Sequence, residues 1–348
     1  MERILIYGAY GYTGQLIVDQ LLSMGISPII AGRDEQKTKQ LADAKGLEYA
    51  AFDLRDSIAL HAFLAKGSVV IHCAGPFIHT AKPMLEACLS VGTHYLDITG
   101  EYQVFDLAQS YDQRAKDRGI MLLPGAGFDV VPSDCLAAHL HALMPDATDL
   151  NLAFVNKGGS LSRGTTKTMI ENLGQPTMYR KNGAYATAPM GSLTRLVDFG
   201  EMEQVSMAIS WGDISSAYFS TGIPNIKVFA GTHPKQIKKI NQLNSIGLLL
   251  RLKVVRNFLK KQIDKKAPGP TAEKRGASKT LLWGQVSNGT KTIEARLTTP
   301  NGYSLTAETA AKMAKRVAQE DFKTGYQTPS TAYGKELILE MSGCVFED

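Results

Sequence analysis

The glycine-rich turn near the start of the chain constrains the fold most. Residues 4–7 are apolar and predict a buried strand, residues 8–14 (Gly-Ala-Tyr-Gly-Tyr-Thr-Gly) predict a tight turn, and residues 15–22 have a helical pattern. Backbone N–H groups and the positive dipole at the start of such a helix bind pyrophosphate. Gly8 permits an unusual backbone conformation, Gly11 lets phosphates approach, and Gly14 lets the helix pack closely. The strand–turn–helix order predicts dinucleotide binding, with a turn that holds no ligand as the alternative.

The end of the next predicted strand bears on the choice of cofactor. An NAD-selective site usually has an acidic residue about 20 residues after the glycines, where it binds the ribose 2′-hydroxyl. Here Arg33 comes first and Asp34 follows it. A guanidinium offers paired donors and a fixed charge to a 2′-phosphate. We therefore expect NADP, with NAD as the alternative, in which case Arg33 is a solvated loop charge.

Composition excludes several classes of protein. The chain has 348 residues, enough for two domains, and a net charge of only +5 without a nucleic-acid-binding motif. Its four cysteines and seven histidines show no metal-ligand spacing, which predicts no metal and a reducing compartment. A cleavable signal would destroy the glycine motif, and no apolar run approaches the roughly 20 residues of a membrane span. We expect a cytoplasmic protein with no nucleic-acid partner.

Strand and helix patterns alternate in the first part of the chain, as in β-α-β units. The predicted strands there are 3–7, 27–31, 47–51, 68–72, 93–96 and 120–123, and helices are clearest at 82–91 and 104–118. After Pro145 the pattern changes to strands at 148–155, 226–230, 280–286 and 291–299, then an Ala-rich helix at 306–322. The Asn288-Gly289 pair predicts a hairpin between the last two strands.

These patterns predict an α/β fold of two domains. Residues 1–145 are expected to form a Rossmann-type doubly wound parallel sheet, and residues 146–324 an α+β domain with a mixed or antiparallel sheet. Residues 325–348 are expected to pack back on the first domain.

Three loops follow strands of the predicted parallel sheet and should face one crevice, because ligands bind at the carboxyl ends of such strands. They are residues 72–77, with Gly75 and Pro76 beside the nicotinamide, residues 97–101, and residues 125–134. Their carboxylates suit binding of a substrate amine or relay of a proton. For any single one of these acids, including Asp97 and Asp134, a role in helix capping or in a turn is at least as good an interpretation as a catalytic role.

Together these segments resemble the saccharopine dehydrogenase-like oxidoreductases, a group that includes trans-acting enoyl reductases. The resemblance is carried by residues 8–14, 31–33, 73–77, 92–101 and 127–134, and more weakly by 213–225 and 325–334. It implies a Rossmann NAD(P) domain and a second α+β domain whose sheet covers the substrate cleft and often supports a homodimer. It leaves the substrate open, and no arginines are identified that would hold the carboxylates of saccharopine.

The predicted function is an NADP-dependent oxidoreductase that transfers hydride to or from a C=N, C=O or activated C=C bond of a small-molecule or acyl substrate. Glu101 and Asp129 are the candidate catalytic residues. The predicted cofactor-binding residues are Gly8, Tyr10, Gly11, Tyr12, Thr13, Gly14, Arg33, Asp53, Ala74, Gly75, Pro76 and Phe77. Short-chain dehydrogenases are excluded because none of the thirteen tyrosines has Lys four residues later. The alternative function is a cofactor-binding scaffold or peripheral membrane protein without turnover.

Residues 246–279 are strongly basic. They contain ten Lys or Arg and two acids, a charge of +8, so the remainder carries −3. Within 246–266 the apolar residues Leu248, Leu252, Val255, Leu259 and Ile263 share one helical face, with the basic residues mostly elsewhere. Such a helix suits an anionic membrane or an acyl substrate, but packing on its own domain is the favoured interpretation. Residues 265–278 predict a mobile loop near the mouth of the cleft.

Overall fold

The computed structural model describes residues 3–244, 247–263, 265 and 267–347, without the side chains of residues 248 and 249. The chain forms two compact units. Unit 1 comprises Met1–Val131 and Tyr303–Tyr333, and unit 2 comprises Pro132–Gly302 and Gly334–Asp348. The chain therefore passes from unit 1 to unit 2 and returns once to each.

Unit 1 is built on a parallel sheet of seven strands, in the order β15-β6-β5-β4-β1-β2-β3. Its central strands are short and buried along their whole length, which is typical of a sheet covered on both faces. The strands are β1 (Ile4–Tyr7), β2 (Ile29–Gly32), β3 (Tyr49–Ala51), β4 (Val69–His72), β5 (His94–Asp97), β6 (Met121–Leu123) and β15 (Gly325–Tyr326).

Helices connect the strands of unit 1 and bury their apolar faces against the sheet. Asp34 and Asp56 cap the second and third helices, each accepting a backbone N–H from the first turn. The helices are α1 (Tyr12–Ser23), α2 (Glu35–Lys45), α3 (Ser57–Leu64), α4 (Phe77–Val91), α5 (Tyr102–Ser110), α6 (Asp112–Asp117), α14 (Gly302–Ala318) and α15 (Pro329–Tyr333).

Unit 2 is built on a mixed sheet of nine strands. Seven follow the order β10-β11-β12-β7-β13-β14-β16, and the β8–β9 hairpin joins at β12. Among the strand pairs that the structure describes in this sheet, only β7 and β12 are parallel. The strands are β7 (Asp149–Lys157), β8 (Thr177–Lys181), β9 (Ala184–Ala188), β10 (Thr194–Asp198), β11 (Glu203–Ile209), β12 (Asn225–Gly231), β13 (Lys279–Ser287), β14 (Thr292–Pro300) and β16 (Val345–Glu347).

The helices of unit 2 are mostly short. They are α7 (Val131–Leu143), α8 (Arg163–Glu171), α9 (Asp213–Thr221), α10 (Pro234–Leu243), α11 (Gly247–Leu250), α12 (Lys253–Ile263) and α13 (Ala272–Gly276), with a 3₁₀ helix at Lys335–Glu340. In the described part of the chain, no helix is both long and apolar enough to cross a bilayer.

The predicted fold class is confirmed: unit 1 has a Rossmann-like parallel sheet, and unit 2 has a mixed sheet with helices. The unit boundaries differ from the predicted ones. The segment from Pro132 already belongs to unit 2, whereas α14 belongs to unit 1, where Thr306 and Thr309 bond to residues 126–128. Of the C-terminal segment, β15 does extend the first sheet, but β16 pairs with β14 in the second.

Three local predictions need correction. The helix expected over 104–118 is two helices, α5 and α6, that meet at Tyr111. The segment 265–278, expected to be a loop, contains the helix α13. Residue 266 of this segment lies outside the described residues. The helix expected over 246–266 is divided into α11 and α12, and residues 245 and 246 are not described.

Candidate functional site

The glycine turn has the geometry that a dinucleotide requires. Gly8 lies at φ +85°, and a Cβ there would come within 2.9 Å of the Ala74 backbone nitrogen. A Cβ on Gly14 would lie 2.5 Å from the Gly8 carbonyl oxygen. Larger residues at these two positions would fill the space between β1, α1 and the 73–77 loop. The residues present therefore fit a bound pyrophosphate.

The start of α1 carries no acidic side chain of its own. Its N-cap is Gly11, which offers no side-chain cap, and its first turn contains no acidic residue. Tyr10, Tyr12 and Thr13 are half-buried around this turn. The Tyr12 ring makes an edge-on contact with Tyr303 of α14, with centroids 5.1 Å apart. A helix start of this kind attracts an anion through its N–H groups and dipole.

Arg33 and Asp34 have different roles after β2. The Asp34 carboxylate caps α2, accepting the Lys37 backbone N–H at 3.1 Å and pairing with the Lys37 ammonium at 2.6 Å. These hydrogen bonds lower the pKa of Asp34. Arg33 is exposed. The Tyr10 ring packs closely on the neighbouring Gly32, where a Cβ would collide with the ring. The carboxylate expected of an NAD site is thus engaged in capping, and the guanidinium is accessible.

Asp53 lies two residues beyond the end of β3. Because β2 and β3 are parallel, it lies at the same carboxyl end of the sheet as Arg33. Its carboxylate accepts hydrogen bonds from Arg55, at 2.8 Å from Nε and 3.1 Å from the terminal nitrogen. These bonds, together with the positive charges of Arg55 and Arg33, lower its pKa to about 2. Asp53 is therefore an ionised acceptor close to Arg33.

The loop after β4 lies directly against the glycine turn. Ala74 contacts Gly8, the Gly75–Pro76 peptide is cis, and Phe77 is buried at the start of α4. Thr80 donates to the Ala74 carbonyl at 2.7 Å, and its oxygen lies 3.0 Å from Nε2 of His72. Burial lowers the pKa of His72 to about 3, so this ring is neutral. Through its contact with Thr80 the ring supports the 73–77 loop.

Glu101 acts on the same loop. Its two carboxylate oxygens accept the backbone N–H groups of Phe77 at 2.9 Å and Ile78 at 2.7 Å. The carboxylate thus caps α4 from outside the helix. Glu101, a candidate catalytic residue, is a positioning residue for the loop.

Asp129 is the second candidate catalytic residue. It packs against the backbone of Gly100, where a Cβ would lie 3.1 Å from Oδ2 of Asp129. Burial and the negative charge of Glu101 raise the pKa of Asp129 to about 7. A carboxyl group with this pKa exchanges a proton at neutral pH, as general acid–base chemistry requires.

The other two carboxylates of these loops have structural roles. Asp97 is fully buried and accepts hydrogen bonds from the Tyr95 hydroxyl at 2.5 Å and from the Thr99 and Gly125 N–H groups. It thereby ties the 97–101 loop to the start of the 125–134 loop. Asp134 lies in unit 2 and accepts a hydrogen bond from Ser220 at 2.8 Å.

Sequence analysis missed the contribution of α14. The Thr306 hydroxyl accepts the Phe128 N–H at 2.9 Å, and Thr309 donates to the Ala126 carbonyl at 2.8 Å. Helix α14 therefore holds both the Asp129 loop and, through Tyr303, the start of α1. No local pattern indicates this, because more than 170 residues separate the partners.

Comparison with known proteins shows what unit 1 is similar to. Residues 4–123 match the family model described as the saccharopine dehydrogenase NADP-binding domain. The resemblance inferred from the sequence, and NADP as the cofactor, are thereby confirmed.

Curated relatives match about half of the chain. The saccharopine dehydrogenase-like oxidoreductase of Homo sapiens is 25% identical over 204 residues, which are 51% of this chain and 48% of that protein. A Mycobacterium tuberculosis protein named as a trans-acting enoyl reductase is 32% identical over 183 residues, 49% of this chain and 44% of that protein. The chain thus spans about half the length of the curated relatives it matches.

The fold extends over nearly the whole chain. Apo saccharopine dehydrogenase (L-Glu forming) from Saccharomyces cerevisiae superposes with a TM-score of 0.65, covering 99% of this chain and 98% of that one. At 15% identity this similarity establishes the shared fold.

Proposed function

We propose that the protein is an NADPH-dependent reductase of a C=N, C=O or activated C=C bond. The observation that carries the proposal is the juxtaposition of a dinucleotide turn at Gly8 with two acids, Glu101 and Asp129, in neighbouring loops of one unit. When bound, NADPH supplies the hydride. The names of the curated relatives, oxidoreductase and enoyl reductase, support this class of reaction.

Asp129 is proposed as the proton donor in this reduction. Its raised pKa keeps a substantial fraction protonated at neutral pH, so it can deliver a proton to the substrate and become a carboxylate. Glu101 holds the 75–78 backbone in place and, by its charge, keeps the proton on Asp129. In the oxidative direction Asp129 accepts the proton.

The same site residues are proposed to bind the cofactor. The glycine turn and the start of α1 would hold the pyrophosphate, Arg33 the 2′-phosphate, Asp53 the adenosine side, and the 74–77 loop the nicotinamide side. Each residue lies at a carboxyl end of the parallel sheet, which is where ligands bind in this fold.

The first test compares Asp129→Asn with Asp117→Asn, an exposed carboxylate on α6 that serves as the matched control. Candidate amino-acid and aldehyde pairs, ketones and enoyl substrates are screened for NADPH consumption. Asp129→Asn should lower kcat by roughly 10²–10⁴-fold and leave NADPH binding, measured by nicotinamide fluorescence, unchanged. Wild-type reduction should fall as pH rises through about 7, because the acid form of Asp129 is then lost.

Two outcomes would contradict the proposal in different ways. Saturable NADPH binding without turnover of any substrate class would favour a cofactor-binding scaffold. Absence of saturable binding would remove the cofactor site itself.

A cytoplasmic homodimer is the proposed setting. All four cysteines are free thiols, which suits a reducing compartment. The dimer is the assembly that the family resemblance implies, and sedimentation velocity would test it.

A further inference from the structure

Helix α12 has two faces of different character. Val255, Leu259 and Ile263 recur at helical spacing and are half-buried or buried, as the sequence predicted. The opposite stripe carries Val254, Phe258 and Lys261, all exposed. Val254 is 80% exposed and Phe258 is 60% exposed, and Leu252 just before the helix is also exposed.

The basic residues of α12 divide between the two faces. Arg256 and Lys260, expected to point away from the apolar face, instead flank it and pair with Glu171 of α8. Nη1 of Arg256 lies 3.6 Å from Oε2 of Glu171. The side chains of Arg256, Lys260 and Glu171 are all mostly buried. Lys253 and Lys261 are exposed beside Val254 and Phe258. Helix α12 is therefore fixed to unit 2 by one face and presents apolar side chains with cations on the other.

We propose that this exposed face of α12 docks on an anionic lipid bilayer. The apolar side chains would enter the interface, and the long lysine side chains would keep their ammonium groups among the lipid phosphates. The charge distribution favours this orientation, since residues 246–279 carry +8 and the remainder carries −3. Although Arg256 and Lys260 are paired with Glu171, Lys253 and Lys261 are exposed on this face. Shallow apolar insertion combined with basic attraction is the usual pair of signals for peripheral membrane binding.

The same charge argues against a second copy of the chain as the occupant. A two-fold interface through α12 would bring the patch against itself and oppose two segments that each carry +8. An anionic bilayer would bury the exposed Phe258 and would attract the exposed lysines.

The experiment is co-sedimentation of the full-length protein with vesicles of phosphatidylcholine alone or mixed with phosphatidylglycerol. The wild type should sediment with the mixed vesicles, remain in solution with neutral ones, and dissociate at high salt. The double variant Val254→Ser/Phe258→Ser should lower the partition coefficient by roughly tenfold or more. Lys253→Glu/Lys261→Glu should have a similar effect, since each basic residue contributes to the attraction.

Ile58→Ser is the matched control, because Ile58 of α3 is 84% exposed and lies in unit 1. It should leave vesicle binding unchanged, and all variants should bind NADPH as the wild type does, which reports folding separately from docking. The proposal is overturned if wild type ignores both vesicles, binds them equally, or binds as before after Val254→Ser/Phe258→Ser. It is also overturned if that variant converts a dimer to a monomer while the wild type ignores lipid.

Discussion

At the scale of single residues, cofactor choice depends on which of two neighbours faces the ligand. Asp34 is engaged by Lys37 and the start of α2, whereas Arg33 is exposed after β2. The sequence alone shows both residues in the order expected for NADP. It does not show that Asp34 is a cap, because capping depends on where α2 begins.

The prediction at this scale is a selective loss of affinity. Arg33→Ala should weaken NADPH binding roughly tenfold or more, since it removes a charge-assisted contact worth on the order of 1.5–3 kcal/mol. NADH binding, which involves no 2′-phosphate, should change little. Fluorescence titration of both cofactors measures this, with Arg114→Ala on α6 as an exposed arginine outside the proposed cofactor site for comparison. Equal losses for NADPH and NADH would show that Arg33 only supports the loop.

At the scale of elements, the strands of unit 1 were predictable and those at one edge of unit 2 were not. Strands β1 and β2 are continuous runs of apolar residues or glycine that bury every residue, so composition alone marks them. Strands β9 and β10 are short and consist mostly of half-buried and exposed residues, as loops also do. The role of Glu101 was missed because it caps a helix that starts 24 residues earlier in the chain.

That cap provides the second prediction. Glu101→Gln keeps the size of the side chain but leaves only one oxygen for the two N–H groups of Phe77 and Ile78. The free energy of unfolding should fall by about 1–3 kcal/mol, and the KM for NADPH should rise. Loss of the Glu101 charge should also lower the pKa of Asp129, so the decline of reduction should move to lower pH.

Chemical denaturation and a pH–rate profile measure the two effects. Glu86→Gln on the exposed face of α4 controls for loss of one carboxylate. An unchanged pH profile in Glu101→Gln would show that Asp129 is not the group whose titration controls the rate of reduction.

At the scale of the whole molecule, each unit is assembled from two distant parts of the chain. Unit 1 needs α14 and β15, and unit 2 needs β16. A sequence-based boundary at residue 145 placed α14 in the wrong unit, because hydrogen bonds from Thr306 and Thr309 to residues 126–128 leave no mark in local periodicity.

The third prediction follows from this division. Residues 1–131 alone should neither unfold cooperatively nor bind NADPH, since they lack α14 and β15. Joining them to residues 303–333 should restore both properties. The Phe128 N–H lies 2.9 Å from Thr306, so a flexible linker of about ten residues spans the junction. Circular dichroism melting and cofactor fluorescence measure the result, and full NADPH affinity in residues 1–131 alone would refute it.

The interleaved path also determines when the protein can fold during its synthesis. Strand β6 lacks its neighbour β15, and β14 lacks β16, until residues beyond 324 have left the ribosome. By then the ribosome has already made the other strands of unit 2, and the edge of β14 that pairs with β16 remains open. Chains usually fold domain by domain from the N-terminus, and open strand edges invite association. Slow translation between residues 300 and 325 would therefore expose the open edges of β6 and β14 together.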